Sequence, residues 1–289
     1  MPQDIEFHYI KTNGITLHVA VSGPTDGHLL LLLHGFPEFW YGWKNQIEPL
    51  VKSGYRVVVP DQRGYNLSDK PQGKENYTIN KLRDDMIGVI EACGNSKATI
   101  IGHDWGGAVA WYLAATKPEY VEKLITVNIP HPRAMKKAML TYPPQWLKSS
   151  YILFFQIPNL PEKLLESDGH KRMKKALTSS SKKGTFSKEN LNKYHHAWSQ
   201  KGSVTAMLNW YRAIWHAELP NEKITVPTRI IWGLGDQFLS RKLAKASIDY
   251  CENGELVFVG EATHWVNHEQ PKIVNRLMLE FLRKSHSLK

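Results

Sequence analysis

Gly102-His103-Asp104-Trp105-Gly106-Gly107 follows the apolar run Ala98–Ile101 and leads into a helical pattern over Gly106–Ala115. Strand, tight turn and helix in that order push the central residue of the turn out at the carboxyl end of the strand. The small flanking residues let strand and helix approach closely. The central residue here is Asp104. A carboxylate is a weak acyl nucleophile, but it can displace a leaving group from an sp³ carbon and form an alkyl ester that activated water then cleaves. An aspartate in a turn can also simply cap the following helix, so the rest of the chain must decide between the two.

Outward from this turn, strand-like and helix-like stretches alternate. Ile15–Val21, Leu29–Leu33, Arg56–Val59 and Val121–Val127 read as strands, and Tyr41–Ser53 and Ile79–Ala92 as helices. Leu29–Leu33 is continuously apolar, as a strand buried on both faces must be. After Asn128-Ile129-Pro130 the rhythm stops, and to about Pro220 the chain is lysine-rich, aromatic and helical in pattern. It resumes with strand Thr228–Trp232, helix Arg241–Ile248, strand Glu255–Val259 and a closing helix Gln270–Arg283. This predicts one α/β domain, residues 1–130 and 221–289, with a mostly parallel sheet covered by helices on both faces. A helical insert, 131–220, interrupts it over the carboxyl edge, where open α/β sheets bind ligands.

Two further residues complete a catalytic constellation. Asp236, in Gly233-Leu234-Gly235-Asp236, follows one late strand, and His264, in Thr263-His264-Trp265, follows the next. Taken singly, the first reads as a turn residue and the second as one histidine among 13. Together, at strand ends and in the order nucleophile, acid, histidine, they define a triad. Asp104 attacks, His264 takes a proton from the hydrolytic water, and Asp236 fixes the imidazole tautomer and stabilises its cation. His34-Gly35-Phe36-Pro37 comes straight after Leu29–Leu33. Its loop is placed to supply one oxyanion-hole amide, that of Phe36, with that of Trp105 as the other. Pro37 has no N–H to donate but can fix the loop.

Composition narrows the class. With 42% hydrophobic and 22% charged residues, the chain looks like an ordinary soluble globular protein. No apolar run approaches the roughly 20 residues of a membrane helix, and the first residues lack a basic region followed by an apolar one, so no secretory signal is expected. Two cysteines without metal-like spacing, Cys93 and Cys251, read as reduced thiols of a cytoplasmic protein. The whole net charge of +10 lies between His131 and Pro220, with 15 Lys and Arg against 5 Asp and Glu. No nucleic-acid motif accompanies these scattered lysines, and they read as a solvated surface.

Taken together, these motifs resemble the epoxide hydrolases of the α/β-hydrolase fold, of microbial and soluble type. The likeness rests on His34-Gly35-Phe36-Pro37-Glu38 with Trp40 and Trp43, on Asp61-Gln62-Arg63-Gly64-Tyr65 before Ser68-Asp69, on the Gly102–Gly107 turn, and on Asn128-Ile129-Pro130-His131-Pro132. It spans nearly the whole chain and is weakest at about 160–200. Asn66 stands where the family often has glycine. The resemblance implies that the insert is a cap, and that it contributes two tyrosines, here Tyr151 and Tyr211, as proton donors to the epoxide oxygen. A phenol with a pKa near 10 stays protonated at neutral pH and suits that task.

Phe36, Pro37, Trp105 and Trp210 are the expected substrate contacts, while Trp146 and Trp215 either line the pocket or pack the cap. The implied partner is a small epoxide, with no organic cofactor, no metal, no nucleic acid and no membrane insertion, in a monomer or homodimer. The closest alternative is a haloalkane dehalogenase, which shares the aspartate nucleophile and with which Trp105 is compatible. Such enzymes commonly carry Asn where Phe36 stands and need no tyrosine pair. A haloacetate dehalogenase would call for Arg at position 105. A non-catalytic binding protein of this fold would be expected to lose the nucleophile or the histidine.

Overall fold

The structure, a computed structural model, describes residues 4–214 and 223–284. One sheet of eight strands forms its centre: β1 (Glu6–Thr12), β2 (Ile15–Ser22), β3 (Leu29–Leu33), β4 (Arg56–Pro60), β5 (Ala98–His103), β6 (Val121–Val127), β7 (Thr228–Gly233) and β8 (Gly254–Val259). Their order is β1-β2-β4-β3-β5-β6-β7-β8. The first two pairings, β1 with β2 and β2 with β4, are antiparallel, and all later ones are parallel. All five leucines of β3 are buried, as their unbroken apolar run requires of a central strand. β1 was not legible in the sequence. It is an edge strand with little buried surface, and its alternation is short: Phe7 and Tyr9 alternate with Glu6 and His8 and remain exposed.

The order of strands locates the site. From β3 the chain crosses to β4 on one side through helix Lys44–Lys52. From β4 it crosses back over β3 to β5 through helix Ile79–Ala92. Right-handed crossovers in opposite directions put those two helices on opposite faces of the sheet. Consistent with this, Ile79–Ala92 packs beside helix Asp104–Thr116, and Lys44–Lys52 packs beside the closing helix Pro271–Arg283. The reversal of direction leaves a crevice at the carboxyl ends of β3 and β5. The loop His34–Glu38 and the turn at Asp104 meet there.

Between β6 and β7 the described residues hold six helices and no strand: Pro132–Thr141, Pro143–Ser149, Tyr151–Phe155, Leu160–Ser180, Lys188–Trp198 and Ser203–Ala213. The fourth is broken at Ser167–His170, where Asp168, Gly169 and His170 take positive φ values. The last lies on the core, where the Trp210 indole donates to the Arg63 carbonyl at 3.0 Å. Trp215 and the expected boundary at 220 lie outside the described residues. Helix Lys44–Lys52 is shorter than the expected Tyr41–Ser53, because Trp40–Trp43 forms a tighter 3₁₀ turn before it. Cys93 and Cys251 are both free.

Candidate active site

Asp104 opens the helix after β5 with φ of 49°, a left-handed conformation unfavourable for a residue with a side chain. Its neighbours hold it there. A Cβ on Gly106 would stand 2.3 Å from the Leu33 carbonyl oxygen, and one on Gly35 would stand 2.4 Å from the Asp104 Cβ. Glycine at both positions lets the β3 loop close over the turn. The Phe36 amide then donates to Oδ1 of Asp104 at 2.8 Å. The peptide from Phe36 to Pro37 is cis.

His264 reaches the same carboxylate with one ring nitrogen and Asp236 with the other. Nε2 of His264 lies 3.5 Å from Oδ2 of Asp104, and Nδ1 lies 2.8 Å from Oδ2 of Asp236. Asp236 is itself fixed from three sides. The amides of Phe238 and Leu239 donate to its Oδ1 at 2.8 and 2.9 Å, and Asn128 Nδ2 donates to its Oδ2 at 2.6 Å. Asn128 stands at the end of β6 with φ of 46° and also accepts from the Gly233 amide at 2.9 Å. It therefore ties the end of β6 to that of β7 and orients the acid. Its place after a strand beside β7 was a signal the sequence carried; its contact with Asp236 was not.

Charges follow from this geometry. Burial disfavours the His264 cation, but Asp236 and Asp104 outweigh burial and push its pKa up to about 10. Burial also works against the Asp104 carboxylate, and His264 reverses it, leaving the pKa below the usual value. Both shifts act in one sense, favouring a charged imidazole beside a charged Asp104.

Aromatic rings wall the space above Asp104. Tyr211 meets Phe36, Trp105 and Phe155 edge to face, with centroids 5.3, 5.0 and 5.0 Å apart. Tyr151 lies 5.9 Å from Tyr211 and 6.2 Å from Phe238, whose ring packs 5.2 Å from His264. The two tyrosines thus come from separate helices of the insert and face one space. Burial, reinforced by Asp104, raises both phenol pKa values, so both hydroxyls keep their protons. Pro37 is buried, and its carbonyl accepts from the Trp198 indole at 2.6 Å.

The structure places Trp210 behind this wall. It is 1% exposed, and its ring packs on Tyr65 and Trp105 at 5.4 and 5.8 Å. These contacts, with the hydrogen bond to the Arg63 carbonyl, join insert to core. Trp146 is half exposed on the outer surface. Phe155 and Phe238 are wall residues that sequence reasoning missed, since an aromatic side chain on a helix or loop is ordinarily packing.

A second buried cluster lies beneath the triad. Glu38 Oε1 accepts from Tyr194 at 2.6 Å and pairs with His268 Nε2 at 2.7 Å, and its Oε2 lies 3.2 Å from His103 Nδ1. His103 Nε2 meets the His264 carbonyl at 3.0 Å. Burial opposes the Glu38 charge, but His268 and His103 hold its carboxyl well below the usual range. This cluster supports the backbone of His264. Among the described residues no group of three or more His, Cys, Asp and Glu side chains could hold a metal ion.

Fold and site define an α/β hydrolase with a carboxylate at the nucleophile position. The family model for the α/β hydrolase fold matches residues 28–271. The chain is 58% identical to the AB hydrolase superfamily protein YfhM of Bacillus subtilis, over 96% of this chain and 98% of that one. It is 40% identical to epoxide hydrolase 4 of Homo sapiens, over 95% of this chain and 78% of that one. The crystal structure of Bacillus megaterium epoxide hydrolase in complex with an inhibitor matches with a TM-score of 0.89 at 35% identity, over 96% of this chain and 100% of that one. The chain belongs to the epoxide hydrolase family of the α/β-hydrolase fold.

Proposed function

We propose that the protein hydrolyses epoxides to vicinal diols through a covalent ester on Asp104, with the helical insert acting as a cap. The observation that carries this reading is the bridging position of His264 between Asp104 and Asp236. Asp104 Oδ2 attacks a ring carbon, and the C–O bond of the epoxide breaks toward the oxygen. Tyr151 and Tyr211 hydrogen-bond that oxygen, and one of them donates its proton as the alkoxide forms. The product is a hydroxyalkyl ester of Asp104.

Ester formation itself prepares the second step. The resting pKa of His264 rests on two carboxylates, and esterification removes the charge of one. The imidazolium then gives up its proton more readily, that proton restores the tyrosinate left by the first step, and the neutral imidazole can take one from water. The hydroxide formed adds to the ester carbonyl carbon. The oxyanion that develops on the aspartate oxygen meets the amides of Phe36 and Trp105, the first of which already donates to Oδ1. Collapse releases the diol, and Asp236 stabilises the imidazolium throughout. Aromatic walls from Phe36, Phe155 and Phe238 favour apolar substituents on the epoxide.

The reading is tested by supplying aryl and alkyl epoxides beside 1-halobutanes and measuring diol and halide. Diol from epoxides, lost in Asp104→Ala, is the expected result. Halide release without diol would replace the reading with a dehalogenase and return the two tyrosines to packing.

A further inference from the structure

The insert carries a surface that the reaction does not use. From Ile129 to Pro161 the chain has no Asp or Glu; of its basic residues Lys136 and Lys137 are exposed, while Lys148 is half-buried and donates to the Asp236 carbonyl at 3.2 Å. Six large apolar side chains of this stretch are exposed: Leu140 at 71%, Trp146 at 47%, Leu147 at 80%, Leu153 at 65%, Ile157 at 42% and Leu160 at 45%. Leu140, Trp146, Leu147 and Leu153 sit on three short consecutive helices, each packed on the next, Ile157 on the turn that follows and Leu160 at the start of the fourth helix. Lys136 and Lys137 are exposed one turn before Leu140, and Lys163 is exposed just after Leu160. Exposed leucines scattered singly are ordinary, but so many in one run mark an interaction surface.

We propose that this face docks on the anionic surface of a lipid bilayer. Apolar side chains would sink to the boundary between headgroups and acyl chains while the flanking lysines meet lipid phosphates. Two features select this occupant. A segment with both lysines and exposed Leu and Trp, and no acidic residue, has the make-up of an interfacial amphipathic element. The net charge of the whole chain also lies in the part that bears this face, while the remainder is balanced, so an anionic surface draws this end of the molecule toward it. A nucleic acid would match the charge but would leave the leucines uncovered. The docking needs no spanning segment, and no helix among the described residues is long and apolar enough to be one. Tyr151 lies between Leu147 and Leu153, so docking turns the wall of the pocket that bears this tyrosine toward the bilayer, where apolar molecules collect.

The test is co-sedimentation of the full chain with vesicles of phosphatidylcholine alone and with an equal part of phosphatidylglycerol, using the native protein, Leu147→Glu/Leu153→Glu and Lys136→Glu/Lys137→Glu. These side chains are exposed, and unchanged melting temperatures would show that the variants fold. The native chain is expected to bind the anionic vesicles, with each double variant weakened about tenfold or more. Absence of binding, or binding that survives Leu147→Glu/Leu153→Glu, overturns the proposal. A concentration-dependent dimer in sedimentation velocity that the same variant abolishes also overturns it, because a second copy would then cover the face. No epoxide enters this experiment, so its outcome is independent of the proposed reaction.

Discussion

Nε2 of His264 stands 3.5 Å from Oδ2 of Asp104, and the two groups shift each other's titration in opposite directions. The raised pKa of His264 means that folding binds its proton more tightly than the unfolded chain does. Its stabilising contribution is therefore complete below the ordinary histidine value of 6.5 and is lost as pH rises toward about 10. The lowered pKa of Asp104 works at the other end, stabilising above the ordinary aspartate value of 3.8 and failing as pH falls below it. Urea unfolding of the native chain and His264→Gln should show a stability difference that shrinks from near-neutral to alkaline pH. A difference that grows with pH would contradict this charge assignment.

Asn128 should prove a positioning residue. Asn128→Ala removes the 2.6 Å donor to Asp236 and the acceptor of the Gly233 amide. A slightly misplaced acid misorients the base, so turnover should fall by up to about 10²-fold with KM little changed. Asn128→Asp keeps the acceptor for Gly233 but puts a second carboxylate beside Asp236. Rapid-quench kinetics should show the loss in ester hydrolysis, the step that uses the base, rather than in ester formation.

The tyrosine pair gives the converse pattern. Tyr151→Phe and Tyr211→Phe each remove one hydroxyl from the shared space while keeping the ring contacts. Each should slow ester formation by roughly 10- to 100-fold, and the double variant by on the order of 10²–10⁴-fold. Pre-steady-state quenching of tryptophan fluorescence can follow that step, since Trp105 lies against Tyr211. One single variant at the native rate, with the double no slower than the other single, would mean that only one phenol acts.

Arg63 tests the scaffold rather than the chemistry. Its Nε and Nη2 donate to the two oxygens of Asp85 at 2.7 and 2.6 Å, and both side chains are buried. Its carbonyl also holds the Trp210 indole. Arg63→Ala would strand a buried carboxylate and should cost about 3–5 kcal/mol of stability. Chemical denaturation measures this directly, and replacing both partners with apolar residues should recover much of the loss.

What could be read in advance was local. The elbow at Asp104, the acid at 236 and the histidine at 264 each follow a strand, and strand, turn and helix announce themselves within a few residues. Five leucines in a row place β3 at the centre of the sheet. β1 escaped because its alternation, Phe7 and Tyr9 between Glu6 and His8, is too short to separate a strand from a polar segment. The cluster of Glu38, His103 and His268 escaped because it joins three distant segments, and nothing within any one of them shows it. Trp210 packs on Trp105 and Tyr65, a contact between insert and core that no single stretch of sequence shows. The basic segment read as plain solvated surface, because the sequence shows its lysines but not that the leucines between them are exposed.

The central claim is that Asp104 carries the substrate as an ester and that His264 is needed only to release it. Intact-mass spectrometry of His264→Gln after exposure to an epoxide tests this most directly. The account predicts a chain heavier by the mass of one epoxide, with the added mass on the peptide containing Asp104 and absent from Asp104→Ala. An unmodified chain that still turns over epoxide, or an adduct on another residue, would contradict it.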